Sequence, residues 1–407
     1  MLDVQTPQEV FAILREHFSV YHTGEETVAL PDLVGRIVAA DVRCNEDIPN
    51  FHRSSVDGYA VRAQDTFGAG DAIPAQLKLI EEVKMGIAPS FSLSSGEATY
   101  IPTGGELPSG ADAVVMIEYT EDFQDGWIYS NTSVAPGAHV VFRGDDSKRG
   151  EIVLAGGQVI RPQDIGALAA MGYTSLSVRR KLIVGILSTG DELVSVDKEV
   201  KGAQMRDVNS HVLYAGVLQL GAIPLLLGIV QDEFSMVREA VVKALVVCDI
   251  VLVSGGSSVG NRDETLRVIE SLESSEVLVQ GIAIKPGKPT IIGEIQGKAV
   301  IGLPGHPVSA YMVFHIFVSC LIRMMSGTKE SFHPIVPAIL SSNAPSNHGR
   351  EELLLVTVEE KAGKWIAHPL FGKSGLITLL TKSDGYVRIN RDTEGLQAGN
   401  KVEVFLF

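Results

Sequence analysis

The stretch KLIVGILST, residues 181–189, is apolar at almost every position and shows no polar and apolar alternation. A strand of that composition has to be covered on both faces, as in a parallel sheet sandwiched between helices. The sequence beyond it repeats the demand. Helical spacing over about Asp207–Leu220 gives way to the apolar run AIPLLLGIV, then to a helical stretch at about Glu233–Leu245 and the run DIVLVSGG. TLRVIESLE and KAVIGLP follow as helix and strand, and a further helix opens after Gly305. This alternation predicts a central doubly wound α/β domain over residues 181–326.

At 407 residues the chain is too long for one hydrophobic core, so further domains are expected on either side. Thr6 followed by Glu9 is a capping box, and Val10, Phe11, Leu14 and Phe18 recur at helical spacing behind it. Residues 51–143 read as an inserted β-rich domain: YAVRA, QLKLIEEV, EATYIPT, DAVVMIEY and GWIYSN are separated by Gly, Pro, Asp and Ser clusters. Helical spacing returns at Ile160–Tyr173, where Asp164, Ala167, Leu168 and Met171 step by three or four. Residues 1–50 and 144–180 are therefore assigned to one discontinuous helical linking domain. From 327 to 407 the runs PAILSS, ELLLVTVEE, KWIAHPL, YVRINR and KVEVFLF predict a small C-terminal β domain of barrel type.

Acidic residues outnumber basic ones, 49 to 34, for a net charge of −15, which opposes nucleic acid or an anionic membrane as the main partner. Three scattered cysteines, Cys44, Cys248 and Cys320, fit a reducing compartment rather than a disulfide framework. The start MLDVQTPQEVFAILREHF lacks the basic and apolar blocks of a signal peptide. Ala310–Ile322, interrupted by His315, falls short of the roughly 20 residues of a membrane span. A cytoplasmic protein with a buried helix at that position is expected.

In a doubly wound sheet ligands bind beyond the carboxyl ends of the strands. STGDEL places Gly190 in a tight turn with the carboxylates of Asp191 and Glu192 at its tip. SGGSSVG brings Ser254, Gly255, Gly256 and Ser257 to a second strand end, where backbone N–H groups and hydroxyls face an anion; Asp263 and Glu264 follow closely. GLPGHPVSA supplies Pro304, Gly305, Pro307 and Ser309 at a helix N-terminus, a third anion-binding element. Each of these alone is an ordinary connection; three ending strands of one sheet point to an anion site. No dinucleotide or nucleotide P-loop signature is present. Lys285 and Lys288 in AIKPGKP are candidate oxyanion ligands. Asp232 joins Glu192 and Asp263 as a carboxylate at a strand end, an oxygen donor set suited to Mg²⁺. In the β-rich domain Asp57 and Thr103 sit at D-G and T-G-G turns, which by themselves favour simple hairpins.

The motifs RSSVDGYAVR, PTGGELPSGADAVVMIE, RGDD, STGDEL, SGGSSVG, IKPGKP and LPGHPVS, in that order, resemble the MoeA and gephyrin E-domain family. The resemblance spans essentially the whole chain and implies a molybdopterin molybdenumtransferase, an L-shaped four-domain homodimer. Such an enzyme inserts molybdate into adenylated molybdopterin (molybdopterin-AMP) with Mg²⁺ and releases AMP. It implies a site shared between subunits, with Asp57 and Thr103 contributed by the β-rich domain. Glu192, Asp232 and Asp263 match the family's acidic, metal-holding positions, Lys285 a basic one and Ser374 a C-terminal serine. A protein that supplies adenylated molybdopterin and the maturation factors of molybdoenzymes are the implied partners. Gly281 stands where members often carry a second lysine, and His306 where LPGNPVS is common. A tungstate-inserting paralogue and a non-catalytic cofactor-binding or scaffold module are the alternatives.

Overall fold

The computed structural model describes residues 4–21, 23–255, 264–329 and 334–407. Gly256, Ser257 and Asp263 of the expected site lie outside them. Among the described residues three six-stranded sheets organise the chain.

The central sheet runs in the order Ile223–Val230, Ile183–Thr189, Ile250–Ser254, Lys298–Leu303, Ile291–Ile295, Ser275–Gln280. The first four strands are parallel, as the apolar runs require. The last two pair antiparallel, so the sheet is mixed rather than wholly parallel. Helices Asn209–Gln219, Phe234–Val247 and Glu264–Glu270 occupy the stretches read as helical. The continuous helix Pro307–Met325 includes a π-helical turn at Phe314–Val318 and is mostly buried inside the protein. Its Val308, Met312, Phe317 and Leu321 belong to the cluster formed with Val184, Ile186 and Leu252 of the sheet, which makes it a core helix.

The opening helix, Pro7–Phe18, has the capping box in place: Thr6 Oγ accepts the Glu9 N–H, and Glu9 accepts the Thr6 N–H at 2.7 Å. Its Val10, Leu14 and Phe18 are buried in the central core with Leu182 and Val184. The helix Pro162–Ala170 instead buries Leu168 with Leu33, Val38, Val42 and Leu154. These two helices, expected in one discontinuous unit, thus occupy different cores. An amphipathic stripe fits any apolar surface of matching width, and the sheet offered the first helix the larger one. The smaller core is built by short strands, Glu25–Ala29 against Ser175–Arg179 and Val42–Arg43 against Ile152–Leu154. It is fastened to the central sheet by Asp249. This buried carboxylate binds Arg180 at 2.8 Å, accepts the Tyr21 hydroxyl at 2.5 Å and takes the Ile183 N–H at 2.7 Å.

The β-rich sheet has Ala113–Met116 and Thr120–Asp122 at its edges, with strands at all the predicted runs and an extra one at Thr120–Asp122. In the C-terminal domain Ile335–Leu340, Glu351–Lys361, Lys364–Pro369, Gly385–Ile389 and Lys401–Leu406 close into a barrel. The two-residue strand Ile284–Lys285, from the α/β domain, pairs in parallel with Glu351–Glu352 on the barrel's side.

Candidate functional site

The carboxyl ends of the parallel strands face the barrel across a cavity of about 1040 Å³. Gly190, Glu192, Asp232, Gly255, Lys285, Lys288, Pro304, Gly305, Ser309 and Ser374 all line it. Most of the strand-end residues singled out in the sequence therefore meet at one place, because parallel strands deliver their following loops to the same edge.

Gly255 shows why one of these loops needs glycine. Its φ is +114°, and a Cβ there would lie 2.1 Å from the Thr189 carbonyl oxygen on the adjacent strand. Ser254, by contrast, is buried beneath the cavity and accepts a hydrogen bond from Asn209 Nδ2 at 2.8 Å. The same amide group donates to the Gly305 carbonyl at 2.8 Å, tying two of the site loops together. Pro307 starts its helix without lining the cavity. Among the described residues the buried Ser188 and Thr189 hydroxyls and Asn209 Oδ1 have no hydrogen-bond partner at this sheet edge, and Thr189 lines the cavity. Unpaired buried polar atoms beside a cavity suit a polar ligand.

On the sheet-edge side the charge is negative. Burial raises the Asp232 carboxyl above the ordinary carboxylate range, and the carboxylates of Glu264, Asp191 and Glu192 push it the same way. Glu264, 7% exposed, is ion-paired with Arg267 at 2.8 Å. Among the described residues no three His, Cys, Asp or Glu side chains are gathered closely enough to hold a metal on their own. Glu192 and Asp232 remain, and a pair of mutually repelling carboxylates fits Mg²⁺ completed by water and substrate oxygens.

On the barrel side the lining is cationic: Lys285, Lys288, Arg350 and Lys373, with one carboxylate, Glu352. Lys285 is not the free ammonium that its sequence neighbourhood implies. Its Nζ lies 3.0 Å from Glu352. Ser374 Oγ is 3.0 Å from His306 Nδ1, and its carbonyl accepts the Val308 N–H at 3.0 Å, so the barrel-side loop is docked on the helix start. Arg350, Glu352 and Thr189 escaped the sequence reading. Thr189 had a signal, its place in STGDEL; Arg350 just precedes the barrel strand Glu351–Lys361 and Glu352 lies on it, with no motif around them.

Asp57 and Thr103 do meet: Asp57 accepts the Thr103 N–H at 2.7 Å and its hydroxyl at 3.1 Å on one oxygen. Both are exposed, and neither lines the cavity of its own chain.

Family models match in three consecutive stretches. These are the MoeA N-terminal region (domain I and II) over residues 5–172, a probable molybdopterin binding domain over 185–324 and the MoeA C-terminal region (domain IV) over 337–407. The molybdopterin molybdenumtransferase of Bacillus subtilis is 31% identical over 411 residues, covering 100% of this chain and 95% of its own length. The chain belongs to the MoeA family. The molybdopterin molybdenumtransferase of Staphylococcus epidermidis is 29% identical, over 99% of this chain and 95% of its own. A crystal structure of a molybdopterin biosynthesis MoeA protein from Pyrococcus horikoshii superposes with a TM-score of 0.86 at 37% identity, covering 99% of each chain. A second, from the OT3 strain, gives 0.85 at 33% identity over 100% of each. The α/β centre, the β-rich part and the closed barrel of this MoeA-family chain are those of its relatives.

Proposed function

We infer that this chain is a molybdopterin molybdenumtransferase of molybdenum cofactor biosynthesis. It takes adenylated molybdopterin and molybdate, inserts the metal at the dithiolene and releases AMP. One observation carries the reading: a single cavity has carboxylates, Glu192 and Asp232, on its sheet-edge side and cations, Lys285, Lys288 and Arg350, on its barrel side. A pyrophosphate with a divalent ion suits the first side and a tetrahedral oxyanion the second.

Glu192 and Asp232 would hold Mg²⁺, which when bound supplies charge neutralisation of the pyrophosphate and of the departing AMP. Lys285 and Lys288 hold the oxyanion as point charges, and Arg350 adds a planar fork of donors. The Ser374 hydroxyl completes the donors on that side. Asp263 is kept as a third acidic position from the family resemblance.

Asp57 and Thr103 belong, in this reading, to the site of a second copy. Their carboxylate and hydroxyl are fixed, exposed and away from the cavity of their own chain, so a homodimer completes the site. The enzyme works in the cytoplasm, receives adenylated molybdopterin from the protein that makes it and passes its product to molybdoenzyme maturation factors.

The experiment is reconstitution of the purified chain with adenylated molybdopterin, Mg²⁺ and molybdate. AMP and metal-bearing cofactor are expected in equal amounts; absence of AMP sinks the reading. Equimolar tungstate in the same assay, followed by metal analysis of the product, separates the two oxyanions.

A further inference from the structure

Lys285 enters the cavity on a two-residue strand whose register sets it directly opposite Glu352. The ion pair of 3.0 Å follows from that register. The Glu352 side chain is 15% exposed, and its second oxygen accepts the Ser346 hydroxyl at 2.7 Å. Lys285 and Glu352 both line the cavity, among Lys288, Arg350 and Lys373. A carboxylate in that place repels any anion the neighbouring cations attract.

The pair is not needed to join the two domains. The joint has its own backbone hydrogen bond, Glu351 N–H to the Ala283 carbonyl at 2.9 Å. Barrel residues Leu353, Leu355 and Tyr386 also pack in the central core with Phe314 and Phe317. We propose that Glu352 is a positioning residue for Lys285: it holds the ammonium in one orientation and competes with the oxyanion for it. The site therefore binds molybdate more weakly than its cations alone allow, and releases it correspondingly faster into the reaction. The inference rests on the reading of Lys285 as an oxyanion anchor.

The test is calorimetric titration of the full chain with sodium molybdate, together with steady-state turnover. Glu352→Gln keeps the shape and removes the charge. Molybdate is expected to bind about 3- to 10-fold more tightly to this variant, with KM for molybdate falling in parallel. Its kcat is expected to fall about tenfold, since the ammonium is no longer fixed. A joint-stabilising role moves affinity and melting temperature down together, so equal or weaker binding by Glu352→Gln overturns the proposal. Ser346→Ala leaves every charge in place but frees Glu352 to hold Lys285 harder. About twofold weaker binding is expected there, and tighter binding counts against the proposal. Lys285→Ala separates the two levels. If it binds molybdate as the unmodified chain does, the anchor reading fails and takes the inference with it. If it binds more weakly while Glu352→Gln is unchanged, only the role of Glu352 falls.

Discussion

Replacing Gly255 with alanine tests the claim that close approach of two strand ends builds the site. The new methyl would sit 2.1 Å from the Thr189 carbonyl oxygen and 2.8 Å from the Thr189 hydroxyl. Relief by separation is blocked, because Ser188 and Ser254, just before these residues, are paired in the parallel ladder. The φ of +114° adds its own cost for an L-residue, about 1–2 kcal/mol. Overpacking in a site that cannot give adds about 1–3 kcal/mol, for a total of about 2–5 kcal/mol. Gly297→Ala is the matched control: φ there is +78°, and nothing lies within 4 Å of the added carbon. It should lose only the conformational part, about 1 kcal/mol. In calorimetry the transition that unfolds the α/β domain is expected to drop by about 5–15 °C for Gly255→Ala and about 2–4 °C for Gly297→Ala. Molybdate affinity should fall in the first variant alone. Equal losses in the two variants would falsify the close-approach argument.

Asp232 has a carboxyl pKa raised above its unfolded value by burial and by Glu264, Asp191 and Glu192, so the Mg²⁺-free protein loses stability as pH rises from about 4 through that raised value. Asp232→Asn should therefore melt no lower than the unmodified chain at pH 7 without Mg²⁺, yet lose Mg²⁺-induced stabilisation and turn over at least about 100-fold more slowly; scanning calorimetry with and without the ion reads the first part. Asp249 behaves oppositely. Burial works to raise its carboxyl, but Arg180, Tyr21 and the Ile183 N–H together hold it below the usual range, so its contribution is present above about pH 4 and is lost as pH falls through the folded value. Asp249→Ala should cost about 2–4 kcal/mol at pH 7 and flatten the acid limb of urea stability, with no such loss overturning its role as the fastening between two cores. Mixing Asp57→Asn with Lys285→Ala, each inactive alone, should restore about a quarter of full turnover, since random exchange makes half the dimers mixed and leaves each of these one intact site; no recovery argues against a shared site. His306→Asn should keep the link to Ser374 and stay within about threefold of full activity, whereas Ser374→Ala should lose about tenfold in molybdate affinity by titration.

How much of this was legible before the structure depended on the range of each interaction. KLIVGILST, DIVLVSGG and KAVIGLP announced strands covered on both faces, and they are inner strands of the central sheet. Ser275–Gln280 and Ile291–Ile295 went unread. They form the antiparallel edge of the sheet, and their short runs lack the strand and helix alternation that marked the others. The capping box at Thr6 and Glu9 identified a helix but not its resting place, since Val10, Leu14 and Phe18 carry no address. At the site, Gly190 and Gly255 were visible as loop glycines after strands. Lys285 was visible as a cation, but its partner was not, because Glu352 is brought to it only by a strand pairing between domains.

By itself the sequence determined the local elements, the glycine-rich loops at the sheet edge and the presence of carboxylates and lysines in and near them. Those properties follow from side-chain periodicity, glycine placement and charge, which act over a few residues. Only the tertiary structure decided that the barrel forms the other wall of the cavity, that Lys285 faces a carboxylate, and that Asp57 and Thr103 stand outside the cavity of their own chain. Each of these is a contact between segments far apart in the chain, fixed by how whole domains pack and not by any short pattern within them.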